Sequence, residues 1–225
     1  MCKQRFIQSQ DRVKILVLLG VIVSSSVGHA SDTKSVQYWN SEGIHIKLTT
    51  DWAFEIREEF RLEDNGGSLY HYFTETGFLY AFRDYLDFSV NYRHIKNKKN
   101  EDWTTEYRPH INGTIKIKWN DFIIGDRNRI EFRKFEDGNH SWRWRNKLSI
   151  QSPFQWTRLK IQPYVSNEVF IVFDKIEYNQ NRVYVGFKLT FFKYFRGDLF
   201  YMCQSTKSTV WKDNHIIGTN LKVNI

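Results

Sequence analysis

The sequence predicts an all-β fold, an antiparallel transmembrane β-barrel, on three observations. Apolar and polar residues alternate in one segment after another from Gly43 to Ile225, the segments are long, and an export signal precedes them. Only a strand sends alternate residues to opposite faces. Between 103 and 118, Trp103, Tyr107, Ile111, Ile115 and Ile117 take odd positions, while Thr104, Glu106, Arg108, His110, Lys116 and Lys118 take even ones. A soluble sheet would show the same period. Here the apolar faces end in aromatic residues and the segments run roughly 10 residues or more, enough to cross a bilayer at a tilt.

Residues 1–30 read as a signal peptide. Lys3, Arg5, Arg12 and Lys14 supply its basic region, Ile15 to Val23 its apolar region, and Gly28-His29-Ala30 a small-residue cleavage site, so the mature barrel domain is expected over 31–225. The apolar run is too short for a spanning helix, and no later stretch approaches the ~18 apolar residues that one needs. The mean hydropathy of −0.56 does not argue against a barrel, because strands carry a weak hydropathy signal. Once Cys2 leaves with the signal, Cys203 is too few for an internal disulfide and reads as an apolar filler on a strand.

The formal charge of +8 includes +3 from the first thirty residues, which leaves about +5. Such an excess can draw anions, lipopolysaccharide phosphates or nucleic acid. The arginines alternate with apolar residues instead of forming runs. That places them in a barrel interior, and no nucleic-acid partner is expected.

About eleven strand-like segments follow in order: 39–48, 52–62, 69–82, 86–95, 103–119, 122–135, 141–150, 159–172, 179–191, 197–206 and 214–225. Short connections at 49–51, 83–85 and 120–121 alternate with longer polar ones at 63–68, 96–102 and 136–140, as periplasmic turns and extracellular loops do. Single-chain bacterial barrels have even strand numbers. A periplasmic C-terminus then requires a further strand from 33–39, giving twelve strands, with ten as the alternative. One domain, monomeric, is expected after the signal.

Registers follow from the turns, since neighbouring strands keep their apolar sets on one face. Trp119 pairs with Phe122 across Asn120-Asp121, which sets Ile117 opposite Ile124, Ile111 opposite Ile130, His110 opposite Glu131 and Arg108 opposite Arg133. The hairpin around Asp84 sets Arg93 opposite Glu75. Trp39, Trp52, Tyr80, Trp103, Trp119, Trp142, Trp156 and Trp211 fall near strand ends, where aromatic girdles belong.

The densest polar array is Arg127, Arg129, Glu131 and Arg133 on one strand, then Arg143, Arg145 and Lys147 on the next. Turned outward, each cation would cost roughly 2–4 kcal/mol near the bilayer midplane. The array therefore faces the lumen. With Arg93, Arg108, His110, Glu168 and Arg182 it forms the expected lumen-facing charge network, and Glu55, Glu59, Glu75, Asp87 and Glu106 sit at matching inward positions. Two roles suit it: a ladder of ion pairs filling the interior, or a cationic constriction selecting anions in a narrow, porin-like channel.

No catalytic motif is present: there is no G-x-S-x-G elbow, and the histidines show no H-x-H or H-E-x-x-H spacing. No metal or cofactor is expected. The best acid–base pair is His110 with Glu131. A lipid-modifying hydrolase of the outer membrane and a soluble periplasmic anion-binding β-protein remain as alternative functions.

The end of the chain, Gly218-Thr219-Asn220-Leu221-Lys222-Val223-Asn224-Ile225, resembles the C-terminal signal read by the barrel assembly machinery, with Ile225 in place of the usual Phe and Ile216 in place of a polar residue. Larger blocks resemble the DUF2490 family of uncharacterised outer-membrane barrels. They are Tyr92-Arg93-His94-Ile95, Arg108-Pro109-His110, Asp126 to Arg133, Trp142 to Leu148, Pro163-Tyr164 with Glu168 and Phe170, Asn181-Arg182 with Gly186, and His215 to Gly218. The resemblance implies a barrel in the outer membrane of a Gram-negative bacterium, surrounded by lipid and lipopolysaccharide. It carries no activity or catalytic residues to transfer.

Overall fold

The computed structural model describes residues 36–100, 102–174 and 177–225. The signal expected over 1–30 and the start of the mature chain lie outside these residues. Eleven strands are present among the described residues: β1 (Val36–Lys47), β2 (Trp52–Glu63), β3 (Ser68–Arg83), β4 (Leu86–Lys99), β5 (Asp102–Trp119), β6 (Phe122–Phe135), β7 (His140–Gln151), β8 (Gln162–Val172), β9 (Glu177–Thr190), β10 (Phe195–Lys207) and β11 (Trp211–Asn224). Each strand pairs with its sequence neighbours, and β1 pairs with β11, so the sheet closes into a barrel.

Closure corrects two expectations, the strand number and the all-antiparallel sheet. The eleven segments legible in the sequence are the strands; the twelfth, required by the even-number rule, is not among the described residues, and 36–39 open β1. With an odd number of up-and-down strands the first and last run the same way. The β1·β11 pair is accordingly parallel, from Val36 opposite His215 to His45 opposite Asn224. Side chains also cross this seam: Ser41 Oγ donates to Asn220 Oδ1 at 2.6 Å and Thr219 Oγ1 to Asn40 Oδ1 at 2.8 Å. Parallel pairing is slightly weaker per residue, and closure removes both exposed edges.

Gly218 has a packing role at the seam. A Cβ there would stand 2.1 Å from Phe200 Cζ, so the Phe200 ring can lie across β11 only over a glycine.

The hairpin registers agree with those read from the turns: Trp119 faces Phe122, Ile111 faces Ile130, His110 faces Glu131, and Arg93 faces Glu75. Asn120 and Asp121 both have positive φ, as a two-residue hairpin turn demands. The strands outrun the predicted ones into their polar ends, β4 reaching Lys99 and β5 starting at Asp102. Most of the expected difference between short and long connections disappears as a result. The longest connection is 152–161, part of which was predicted as strand; it folds back on itself through the Trp156–Ile161 bridge.

The connections 48–51, 84–85, 120–121, 152–161 and 191–194 share one end of the barrel with Ile225, here the C-terminal end. Val36 and the connections 64–67, 136–139 and 208–210 mark the N-terminal end.

Candidate functional site

Side chains on the inner face meet across strands that are not neighbours in the sheet, which only an enclosed interior permits. Arg127 on β6 reaches Glu168 on β8, Tyr164 on β8 reaches Asp198 on β10, and the Arg182 guanidinium on β9 stands 5.0 Å from the Trp39 ring on β1. The outer face holds the other residue set. Val90, Phe78, Ile111 and Ile117 are at least half exposed there.

Four carboxylates organise the interior. Glu131 is fully buried; Arg143 donates to its Oε2 from Nε (2.8 Å) and Nη2 (2.5 Å), Arg145 Nη1 donates to Oε1 (2.7 Å), and Arg129 Nη1 approaches Oε1 at 3.5 Å. Arg145 continues through Nη2 to Glu168 Oε1 (2.7 Å), which also accepts from Arg127 Nη2 (2.8 Å); Tyr184 donates to Glu168 Oε2 (3.1 Å), with Arg182 Nη1 at 3.6 Å. Arg108 and Arg133, neighbours in register, share Glu106: Arg108 Nε donates at 2.7 Å and Arg133 Nε at 2.8 Å. Glu75 takes the Arg93 guanidinium and, at 3.3 Å, Arg57 Nη2. Charge-assisted, many-toothed contacts of this kind are what let ionised groups stay buried.

Aromatic rings form the other half of the packing. Arg145, Arg182 and Arg143 stand over Phe170 at 4.6, 4.8 and 5.2 Å, Arg93 over Phe73 at 3.9 Å, and Arg61 over Trp39 at 3.6 Å. Phe73, Phe170, Ile95, Met202 and Ile216 are fully buried beside the carboxylates. The sequence reading missed this apolar layer, and it placed Trp39 in a girdle although the ring points inward, its Nε1 donating to Tyr70 Oη at 3.0 Å. A signal existed: Val169-Phe170-Ile171-Val172 is apolar at both parities, which marks a strand buried on both faces.

Every residue of the expected charge network is thus on the inner face, but not all are joined alike. Lys147 makes no carboxylate contact among the described residues; its ammonium lies 3.8 Å from the Tyr184 ring. His110 is opposite Glu131 on the ladder, yet its Nε2 turns to Glu75 Oε2 at 3.6 Å and its Nδ1 to the Arg108 carbonyl at 3.3 Å. Among the described residues no serine or cysteine side chain contacts either His110 nitrogen. On the outer face Tyr201 Oη and His215 Nδ1 are 2.5 Å apart, and Ser205 donates to Asp213 instead of to a histidine.

Polar groups on the outer face were also missed. Glu42 lies opposite Glu58, both exposed, and Asn128 and Asn146 donate to Asp126 at 2.9 and 2.5 Å.

Comparison with known proteins adds one finding. The profile described as "Protein of unknown function (DUF2490)" matches residues 36–214, from the first residue of β1 into β11. A search of curated proteins finds no match. As the match takes in nearly the whole barrel, the chain belongs to the DUF2490 family.

Proposed function

We propose that this protein is an outer-membrane β-barrel, exported by its N-terminal signal, whose interior is closed by the arginine–glutamate network rather than held open as a pore. One observation carries the reading: the fold is inverted relative to a water-soluble protein. Its inner face buries Glu131, Glu168 and Arg145, while its outer face exposes Val90, Phe78, Ile111, Ile117 and Trp119. Exposed apolar surface on that scale marks an interaction surface, and a closed sheet is the β form that satisfies its backbone within hydrocarbon. Lipid and lipopolysaccharide would cover the outer face, and β11 would engage the assembly machinery.

Closure of the interior rests on accessibility. Side chains lining an aqueous path stay accessible to water; Glu131, Ile95, Met202 and Ile216 at 0 %, with Phe73, Phe170 and Glu168 at 1 %, come from six different strands around the wall. This supports the filled interior over the anion-selective channel. The hydrolase reading has less support, because among the described residues no nucleophile contacts the buried His110, and the soluble periplasmic reading has to leave the apolar outer face in water.

Membrane fractionation tests the location: the protein is expected with the outer membrane, extractable only by detergent. Planar-bilayer recording tests the interior. No conductance above the bare bilayer is expected; anion-selective steps lost on neutralising Arg129 and Arg145 would restore the channel reading.

A further inference from the structure

The interior is not uniform along the barrel. On β6 the side-chain exposure falls from 31 % at Arg127 to 5 % at Arg129 and 0 % at Glu131. The same gradient runs down β2, from Arg57 at 36 % to Glu59 at 12 %. Towards the C-terminal end the inner face of β2 and β6 is therefore more open, and it ends on the packed layer as a cup ends on its floor, whereas on β8 Ser166 and Tyr164 stay covered at 2 % and 7 %.

Composition changes with it. Lys116, Gly125, Ser149 and Ser166 lie on one rung of four consecutive strands, and Arg127 and Lys147 lie side by side on the next rung towards the packed layer. From β6 to β8 no side chain on the first rung is longer than a hydroxymethyl, so the wall is recessed just where two cations border it. Three of the groups around the recess have capacity to spare. Ser166 is 2 % exposed and its Oγ has no hydrogen-bond partner, Arg127 Nε is buried without an acceptor, and the Lys147 ammonium, within the fields of Glu168 and Asp198, makes no carboxylate contact among the described residues and stands over the Tyr184 ring. Lys116, above the recess, is held by Asp87.

We propose that this recess is a binding seat for a phosphate-bearing anion. A guanidinium, an ammonium and a hydroxyl on adjoining rungs of β6, β7 and β8 call for a compact ligand with several acceptor oxygens and about two negative charges. A phosphoryl group has both; a single carboxylate has half the charge and fewer acceptors. Arg127 Nη2 stays on Glu168 while Nε and the hydroxyl turn to the ligand, and Lys147 supplies the second charge. The two sources of such a group are a soluble phosphate compound and a lipid phosphate headgroup. The seat rests on the closed interior only in that the ligand dwells there instead of passing through.

The test uses the full-length protein in zwitterionic detergent, titrated with inorganic pyrophosphate by calorimetry, and in parallel mixed with vesicles containing phosphatidic acid. Saturable binding is expected, weakened tenfold or more by Arg127→Gln and by Lys147→Gln, and unchanged by Lys134→Gln on the outer face. Ser149→Leu fills the recess without removing charge and is expected to abolish binding in a barrel that still shows the native heat-dependent shift on gels. Capture of phosphatidic acid alone, lost in the same variants, assigns the seat to a headgroup. Failure of both probes to bind, or binding that survives the Arg127→Gln/Lys147→Gln pair, overturns the proposal. Conductance in planar bilayers reports on closure separately, so an open pore and an absent seat give different results.

Discussion

Removing the Glu131 carboxylate is the sharpest perturbation of the interior. Three arginines converge on it: Arg143 through two nitrogens, Arg145 through one, and Arg129 at longer range. Glu131 is wholly buried, so in Glu131→Ala water cannot replace it without opening the layer. Arg145 keeps Glu168 and Arg129 keeps Asn112 Oδ1 at 2.6 Å, but Arg143 loses every carboxylate contact that the structure gives it. Leaving one buried charge uncompensated costs about 3–5 kcal/mol, two to nearly four powers of ten in the folding equilibrium at about 1.4 kcal/mol per tenfold. Glu131→Gln keeps one acceptor and should cost less. Urea unfolding in lipid vesicles, followed by the fluorescence of Trp142 and Trp144 on the same strand as Arg143, measures the loss as a shift in midpoint at constant slope. Adding Arg143→Met to Glu131→Gln removes the stranded cation, and the pair is expected to recover about 1–3 kcal/mol of the summed single losses. A loss below ~1 kcal/mol for Glu131→Ala, the range of exposed ion pairs, would refute the reading of a sealed interior.

Other expectations concern the apolar layer, the outer face and one turn. Phe170→Ala removes the ring beneath Arg143, Arg145 and Arg182 and should destabilise by about 3–5 kcal/mol in the same assay. Glu58→Leu removes one of two like charges directly opposite each other on the outer face; in a bilayer it should raise the unfolding midpoint, whereas a water-exposed barrel should instead lose solubility. In the 136–139 turn, the Thr105 N–H donates to Glu136 Oε2 at 2.7 Å and holds that carboxyl below its ordinary value, while the Glu136 N–H donates back to the Thr105 carbonyl at 3.0 Å. Its contribution is therefore complete above the unfolded carboxylate value of about 4.3 and is lost as pH falls through the lower folded value; Glu136→Gln should flatten the acid limb of amide-exchange protection at Thr105.

Much of the fold was legible locally. A strand writes its two faces into consecutive residues, and a two-residue turn such as Asn120-Asp121 fixes the register of the hairpin it joins, so eleven strands and the pairs at Ile111, His110 and Arg93 could be read from short windows. Parity put Arg127, Arg129, Glu131, Arg143 and Arg145 on one face, and the cost of cations in hydrocarbon turned that face inward. Closure could not be read this way. Whether β1 meets β11 directly, and in which direction, depends on residues about 180 positions apart, such as Ser41 and Asn220, and a rule drawn from other barrels supplied a twelfth strand in place of that contact. Height inside the barrel was equally hidden. Strands tilt in a closed sheet, so residues on one rung stand at different levels; only the assembled barrel brings Trp39, Phe73, Phe170 and Met202 into one sealing layer and leaves Gly125, Ser149 and Ser166 as a recess above it. Parity is a property of neighbours along the chain, whereas sealing a cross-section requires every strand at once.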